Sequence, residues 1–222
     1  MHIVGVYNIK GGVGKTSTAV NLAYLAARYG LRTLVWALDP QGAASFYFRI
    51  KPKVKGGSKK MLRGKMDLLL DQAKKPAVRL LKLLRPLSYE YDLVFLGCPP
   101  SISMVSENVF QATDALLLPT IPTTLPLRTY RQLLDFVSNN GLERLRIMPF
   151  FSMVDRRKRM HMEMLEQLPD HYDELLTSSI LYASDVERMG VYRQPLLEFA
   201  PKGVAAVAYE ALWAEVREAL RL

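Results

Sequence analysis

Cysteine is almost missing from this chain: Cys98 is the only one. No internal disulfide can form, which suits a reducing compartment and points to the cytoplasm. Histidine is also scarce. His2, His161 and His171 stand apart from any cysteine or carboxylate cluster at ligand spacing, so structural or surface roles are expected of them. Half of the residues are hydrophobic, yet no uninterrupted apolar run approaches the ~20 residues of a membrane-spanning helix. The first residues already read as strand, without the charged and apolar regions of a secretion signal and without a preceding helix-turn-helix. Neither export nor operator-specific repression is expected. Repeats and low-complexity tracts are absent. Acid is in deficit, with 21 Asp+Glu against 30 Lys+Arg and a formal charge of +9. That balance favours polyanionic partners through counterion release, nucleic acid foremost, and carries no information on fold.

What is present is concentrated near the start. The 222 residues suit a single α/β domain spanning 1–222. Between Ile3 and Gly30 an apolar, β-branched run, IVGVYNI, leads into Lys10-Gly11-Gly12-Val13-Gly14-Lys15-Thr16-Ser17. Beyond it Ala19, Leu22, Leu25, Ala26 and Tyr29 recur at helical spacing until Gly30. Strand, glycine loop and helix form the setting of a phosphate-binding loop. The glycines let backbone N–H groups turn toward phosphate oxygens, and the helix directs its positive dipole end to the same place. In such a loop Lys15 lies between the β- and γ-phosphates, the Thr16 hydroxyl ligates Mg²⁺, and Ser17 adds a donor to the α-phosphate.

The usual G-x-x-x-x-G-K-[ST] pattern is only partly met, because Ile9 stands where the first glycine belongs and Lys10 directly precedes the two glycines. KGGVGKTS, the later LDPQG at Leu38 to Gly42 and CPPS at Cys98 to Ser101 together resemble the deviant Walker A ATPases of the ParA/MinD group, in the ParA branch. The resemblance follows nearly the whole chain in order. It implies ATP and Mg²⁺, and a Lys10 that reaches across a two-fold interface to the partner's phosphates in a homodimer formed on ATP binding. The alternative for Lys10 is a surface lysine that only precedes the loop. It further implies that Asp39 orients the attacking water, the alternative being a turn aspartate before Pro40. Two positions depart from the family: Ala37 and Gly97 stand where acids are customary. Asp92 and Asp114 cannot replace the acid of Gly97, since both open strands, and five residues of strand put Asp92 roughly 16 Å away. Mg²⁺ is therefore expected on Thr16, phosphate oxygens and waters, with slow hydrolysis.

Along the rest of the chain, strand and helix patterns alternate, which predicts a doubly wound, mostly parallel sheet with helices on both faces. The stretch from Lys51 to Lys65 holds seven basic residues and three glycines. It reads as a surface loop that either grips DNA, with Lys59 and Lys60 as candidates, or is simply solvated. Arg156, Arg157, Lys158 and Arg159 are expected to open a helix, where positive charge at the dipole's positive end calls for an anion. They form either a DNA-facing patch or a solvated corner. Arg188 and Arg193 are further DNA candidates, because the family's arginine in this segment is replaced by Asp185. The resemblance implies that Met153, Phe199 and Pro201 border the adenine, the alternative for Met153 being a plain loop position. Cys98 is expected to pack as a small hydrophobe. The last helix, Gly203 to Leu222, is expected to pack on the sheet through Val204, Ala208, Leu212, Val216 and Leu220 and not to serve as a membrane anchor.

These expectations describe an ATPase that dimerises on ATP, binds DNA nonspecifically in the nucleoid, and releases it when a ParB-like or cargo adaptor protein stimulates hydrolysis. Such a cycle segregates or positions a plasmid, a chromosome region or other large cargo. Two alternatives stand beside it: a nucleotide-gated DNA-binding module weakened at Ala37 and Gly97, and a MinD-like membrane-positioning ATPase, which the terminal helix disfavours.

Overall fold

In the computed structural model, which describes residues 1–38, 43–49, 79–100, 104–123, 125–168, 172 and 174–222, six strands form one sheet. They are β1 (His2–Val6), β2 (Thr33–Ala37), β3 (Leu93–Gly97), β4 (Ala115–Thr120), β5 (Arg146–Val154) and β6 (Ser179–Leu181). The spatial order is β2-β3-β1-β4-β5-β6, and every neighbouring pair is parallel. This is the expected doubly wound sheet of a P-loop nucleotide-binding fold. The order turns back at β1, which lies between β3 and β4, so the loop leaving β1 emerges at the switch point where such sheets hold ligands.

Nine helices flank the sheet among the described residues: α1 (Lys15–Arg28), α2 (Ala43–Tyr47), α3 (Arg79–Leu84), α4 (Met104–Ala112), α5 (Leu125–Asn139), α6 (Arg159–Gln167), α7 (Ser184–Tyr192), α8 (Leu196–Phe199) and α9 (Val204–Leu220). Alternate residues of each strand serve opposite faces, and both faces are covered, which is why the strands read as continuous apolar runs. Val4, Val6, Phe95 and Leu117 join the core formed with α1 and α9. Ile3, Val94, Leu96 and Leu116 join the core formed with α3, α4 and α5.

The terminal helix packs on the sheet through the expected Leu212, Val216 and Leu220, joined by Trp213. Only its first turn departs, where Val204 is 62% exposed and Ala205 and Ala206 are buried instead. Burying Leu212 and Trp213 keeps α9 in place, since each such side chain contributes about 1.5–3 kcal/mol when withdrawn from water. Glu215 of the same helix accepts the N–H groups of Thr177 and Ser178, each at 2.7 Å, and so pins the entry to β6. Tyr29, last of the expected α1 stripe, is exposed with Arg217 over its ring at 4.7 Å, and in the middle of α5 Leu134 is exposed while Leu133 and Val137 are buried.

The basic run from Arg156 does not open a helix. α6 begins at Arg159, with Lys158 extended before it. The preceding turn is held by Asp155, which accepts the Arg157 N–H at 3.1 Å and both guanidinium arms at 2.9 and 3.0 Å. Arg157 therefore answers an aspartate two residues back, and α6 starts after that turn closes.

Candidate nucleotide site

β1 stops at Val6, and residues 7–14 form the turn that leads into α1. Gly12 (φ 71°) and Gly14 (φ 89°) lie in the left-handed region that side chains resist. A Cβ at Gly12 would meet nothing within 4 Å, so its backbone conformation alone demands glycine there. At Gly14 a Cβ would also stand 2.9 Å from Ser152 Oγ on β5. Gly14 is the N-cap of α1, no side chain caps that helix, and no acid stands in its first turn. The helix start is thus a patch of backbone donors with positive potential.

Two lysines border this patch. The Lys15 ammonium donates to the carbonyls of Asn8 (3.1 Å) and Lys10 (2.9 Å), drawing its charge across the loop. Lys10 is exposed. Thr16 is half-buried at the helix start, and Ser17 Oγ donates to Gly14 O at 3.0 Å. Open glycines at 11 and 12, an uncapped helix start and two ammonium groups fit a polyphosphate and its cation.

At the same edge, Val6, Gly97 and Ala37 are register partners on three adjacent strands. Among the described residues, a Cβ at Gly97 would meet only the Ala37 Cα at 3.7 Å and the Trp36 carbonyl at 4.0 Å, which are ordinary contacts. Packing against the described residues therefore does not require glycine at 97. Cys98 follows, buried, and burial pushes its thiol up to about 12 despite the opposing pull of Lys15, so it packs as a neutral group. Asp39, Lys59 and Lys60 lie outside the described residues. Leu38, just before Asp39, donates its N–H to Gly97 O at 2.8 Å, so the chain leaves β2 at the edge where the loop lies.

Asp92 and Asp114 sit at the opposite edge, as their places in the strands predicted. Asp114 accepts the Ile3 N–H at 2.7 Å. Asp92 forms a two-pronged pair with Arg32, at 2.7 and 3.0 Å, and this partner holds its carboxyl down to about 2.

A cleft of ≈ 190 Å³ runs from the loop toward β5 and β6, lined by Gly12, Gly14, Ser17, Tyr47, Ser152, Met153, Tyr182, Glu187 and Tyr209 among others. Met153 takes a left-handed φ of 54°, and Tyr182 donates to Glu187 at 2.6 Å on the rim. Met153 thus shares one cavity with the glycine loop. Phe199 and Pro201 are not among the lining residues: Phe199 packs on the Tyr192 ring at 4.5 Å, and Pro201 is exposed. Ser152, Tyr47 and Tyr209 were not singled out from sequence. Only Ser152 left a signal there, as a hydroxyl inside the apolar run PFFSMV.

The basic candidates divide. Arg193 lies over the Phe46 ring at 4.5 Å and donates to Phe46 O at 3.3 Å, while Arg49 reaches back to the carbonyls of Tyr192 (2.9 Å) and Arg193 (3.3 Å). These contacts fasten α2 to α7. Arg188 pairs with Asp185 at 3.7 Å and covers Tyr192 at 5.0 Å. Arg159 pairs with Glu163 at 2.7 Å and Arg157 with Asp155, yet both guanidinium groups remain largely exposed, as does Arg156.

Comparison with known proteins agrees with this geometry. The carboxysome distribution protein A of Gloeobacter kilaueensis is 42% identical over 127 residues, covering 56% of this chain and 51% of that protein. The chromosome partitioning protein ParA of Myxococcus xanthus is 31% identical over 146 residues, covering 53% and 51%. The solved ATP complex of Cyanothece McdA superimposes over 100% of this chain and 97% of that one, with a TM-score of 0.80 at 19% identity, a likeness of fold. Residues 4–196 match the CobQ/CobB/MinD/ParA nucleotide binding domain, and with the glycine loop, both lysines and the switch-point strand inside that span, the chain belongs to this family.

Proposed function

We propose that the chain is a ParA-type ATPase that binds ATP with Mg²⁺, pairs with a second copy, and in the paired state holds DNA nonspecifically. One observation carries the reading: Lys10 and Lys15 flank a single glycine loop at the switch point, with Lys15 folded over the loop and Lys10 projecting outward. An inward lysine neutralises the phosphates of its own site. An exposed one beside them suits the phosphates of another chain, supplying charge to the transition state as an arginine finger does. Partitioning and carboxysome-distribution relatives support a role in segregating or positioning large cargo through an adaptor protein.

In this reading the α1 amides and Lys15 hold the phosphates, and the Thr16 hydroxyl offers a ligand to Mg²⁺. Asp39 orients water for attack on the γ-phosphate. Held by Thr16, Mg²⁺ would supply positive charge to neutralise the phosphates. Met153 borders the adenine, and Lys59, Lys60, Arg156, Arg157, Arg159, Arg188 and Arg193 are candidates for DNA phosphates. The chain is placed in the cytoplasm on the nucleoid. A second reading, a nucleotide-gated module with little turnover, is favoured by Ala37 and Gly97 lying side by side without a carboxylate. A membrane-positioning role has less support, because the apolar face of α9 is spent on the sheet and, among the described residues, no helix is long and apolar enough to cross a membrane.

The test is DNA retention in a filter or interferometry assay with ATP, ADP and no nucleotide, alongside phosphate release. Retention confined to ATP supports the switch, and equal retention in all three refutes it. Turnover abolished by Asp39→Ala supports the enzyme, and no turnover in the wild type supports the module.

A further inference from the structure

We infer that Asn8 is a positioning residue that sets the backbone from which Lys10 reaches the second copy of the chain. The inference rests on the dimerising-ATPase reading above and adds a residue to it. Asn8 is 5% exposed and sits between Tyr7 and Ile9, a buried polar side chain in an apolar run. Both ends of its amide are engaged. Nδ2 donates to the Pro119 carbonyl at 2.8 Å, and Oδ1 accepts the Lys10 N–H at 2.9 Å.

The backbone ladder between β1 and β4 reaches its last bond where the Tyr7 N–H meets the Leu117 carbonyl at 3.0 Å. The Asn8 side chain adds one more bond, two residues further along β4. Its own carbonyl also accepts the Lys15 ammonium at 3.1 Å. One buried residue therefore joins the end of a central strand, the amide of one lysine and the ammonium of the other.

Lys10 gains most from this. It is exposed and followed by two glycines, one of them at positive φ; the Lys15 ammonium holds its carbonyl at 2.9 Å, and Asn8 holds its N–H. Fixing its backbone in advance reduces the ordering cost when its ammonium meets the phosphates of another chain. Nucleotide affinity of a single chain rests on Lys15, Thr16 and the α1 amides, so it depends much less on the clamp.

The experiment compares wild type, Asn8→Ala and Asn8→Asp in four measurements: binding of a fluorescent ATP analogue at concentrations too low for pairing, ATP-dependent pairing by ultracentrifugation, hydrogen exchange at the Lys10 amide, and melting temperature. Asn8→Asp keeps an acceptor for the Lys10 N–H, loses the bond to Pro119 and adds a buried carboxylate near the phosphate site. Asn8→Ala is expected to bind nucleotide within about threefold of wild type, to pair at least about tenfold more weakly, and to exchange faster at Lys10. Asn8→Asp is expected to exchange more slowly at Lys10 than Asn8→Ala, because its carboxylate still accepts that N–H. Pairing of Asn8→Ala equal to wild type overturns the inference, as does a joint loss of nucleotide affinity, pairing and melting temperature, which marks a merely structural role. A wild type that binds ATP and stays monomeric overturns the dimerising reading and this inference with it.

Discussion

Gly97 and Ala37 face each other in parallel register at the ligand-bearing edge of the sheet, and a side chain begun at 97 would find the Ala37 Cα no nearer than 3.7 Å. Among the described residues, then, nothing steric dictates this glycine. Gly97→Asp is expected to fold and to raise ATP turnover by about tenfold, equal to about 1.4 kcal/mol of barrier, by returning a carboxylate to the cation's side of the site. Phosphate release at saturating ATP, with unfolding in urea as a control, measures both. Unchanged turnover in a folded variant would mean that the missing acid does not limit the rate.

The two lysines should separate in their effects. Lys15→Ala is expected to lose ATP affinity by about a hundredfold, or about 2.7 kcal/mol, because its ammonium faces its own loop. Lys10→Ala is expected to stay within about threefold in nucleotide affinity while losing ATP-dependent pairing, since a projecting ammonium serves another chain. Calorimetry and light scattering on the two variants check this. Equal pairing by Lys10→Ala and wild type would contradict it.

Glu215 tests how β6 is held. Replacing it by alanine leaves the Thr177 and Ser178 amides without their carboxylate acceptor and is expected to destabilise the fold by about 1–3 kcal/mol in urea unfolding. Amide exchange should rise at Thr177 and Ser178 before it rises in β1 or β4.

His161 should make stability depend on pH. It is buried, and its Nδ1 accepts the Asp155 N–H at 3.0 Å, which requires a neutral ring. Burial first, and Lys158 second, lower its pKa below the ordinary 6.5. The unfolded chain then binds this proton more readily than the folded one. Its contribution is fully present above the unfolded value of about 6.5 and is lost as pH falls toward the folded value. Urea unfolding of wild type and His161→Asn at pH 8 and pH 5.5 should show the difference shrinking at the lower pH. A difference that grows on acidification would reverse the sign of this argument.

Much of this architecture could be read before any coordinates, because β1, the glycine loop and α1 combine a buried run, a fixed motif and a 3.6-residue stripe that all agree. Other features depended on neighbours that periodicity does not see. Val204 begins the last helix's apolar stripe yet faces water, and Leu134 is exposed in the middle of α5 between buried Leu133 and Val137. The basic run at 156–159 looked like a helix start, but Asp155 folds Arg157 into a turn first. Asn8 and Ser152 were hidden because one polar residue barely alters the character of an apolar run. Their meaning lies in Pro119 and Gly14, which are distant in the chain.

Strand β1 pairs only with segments that come far later, His2 with Leu93 on one side and Val6 with Leu117 on the other. On the ribosome, the residues that would cradle the triphosphate are made well before both sheet partners of β1 and are organised only after more than a hundred further residues have been synthesised. Until then they emerge as an unpaired greasy ribbon, so slow maturation and a need for shielding during synthesis follow directly from the winding of the sheet.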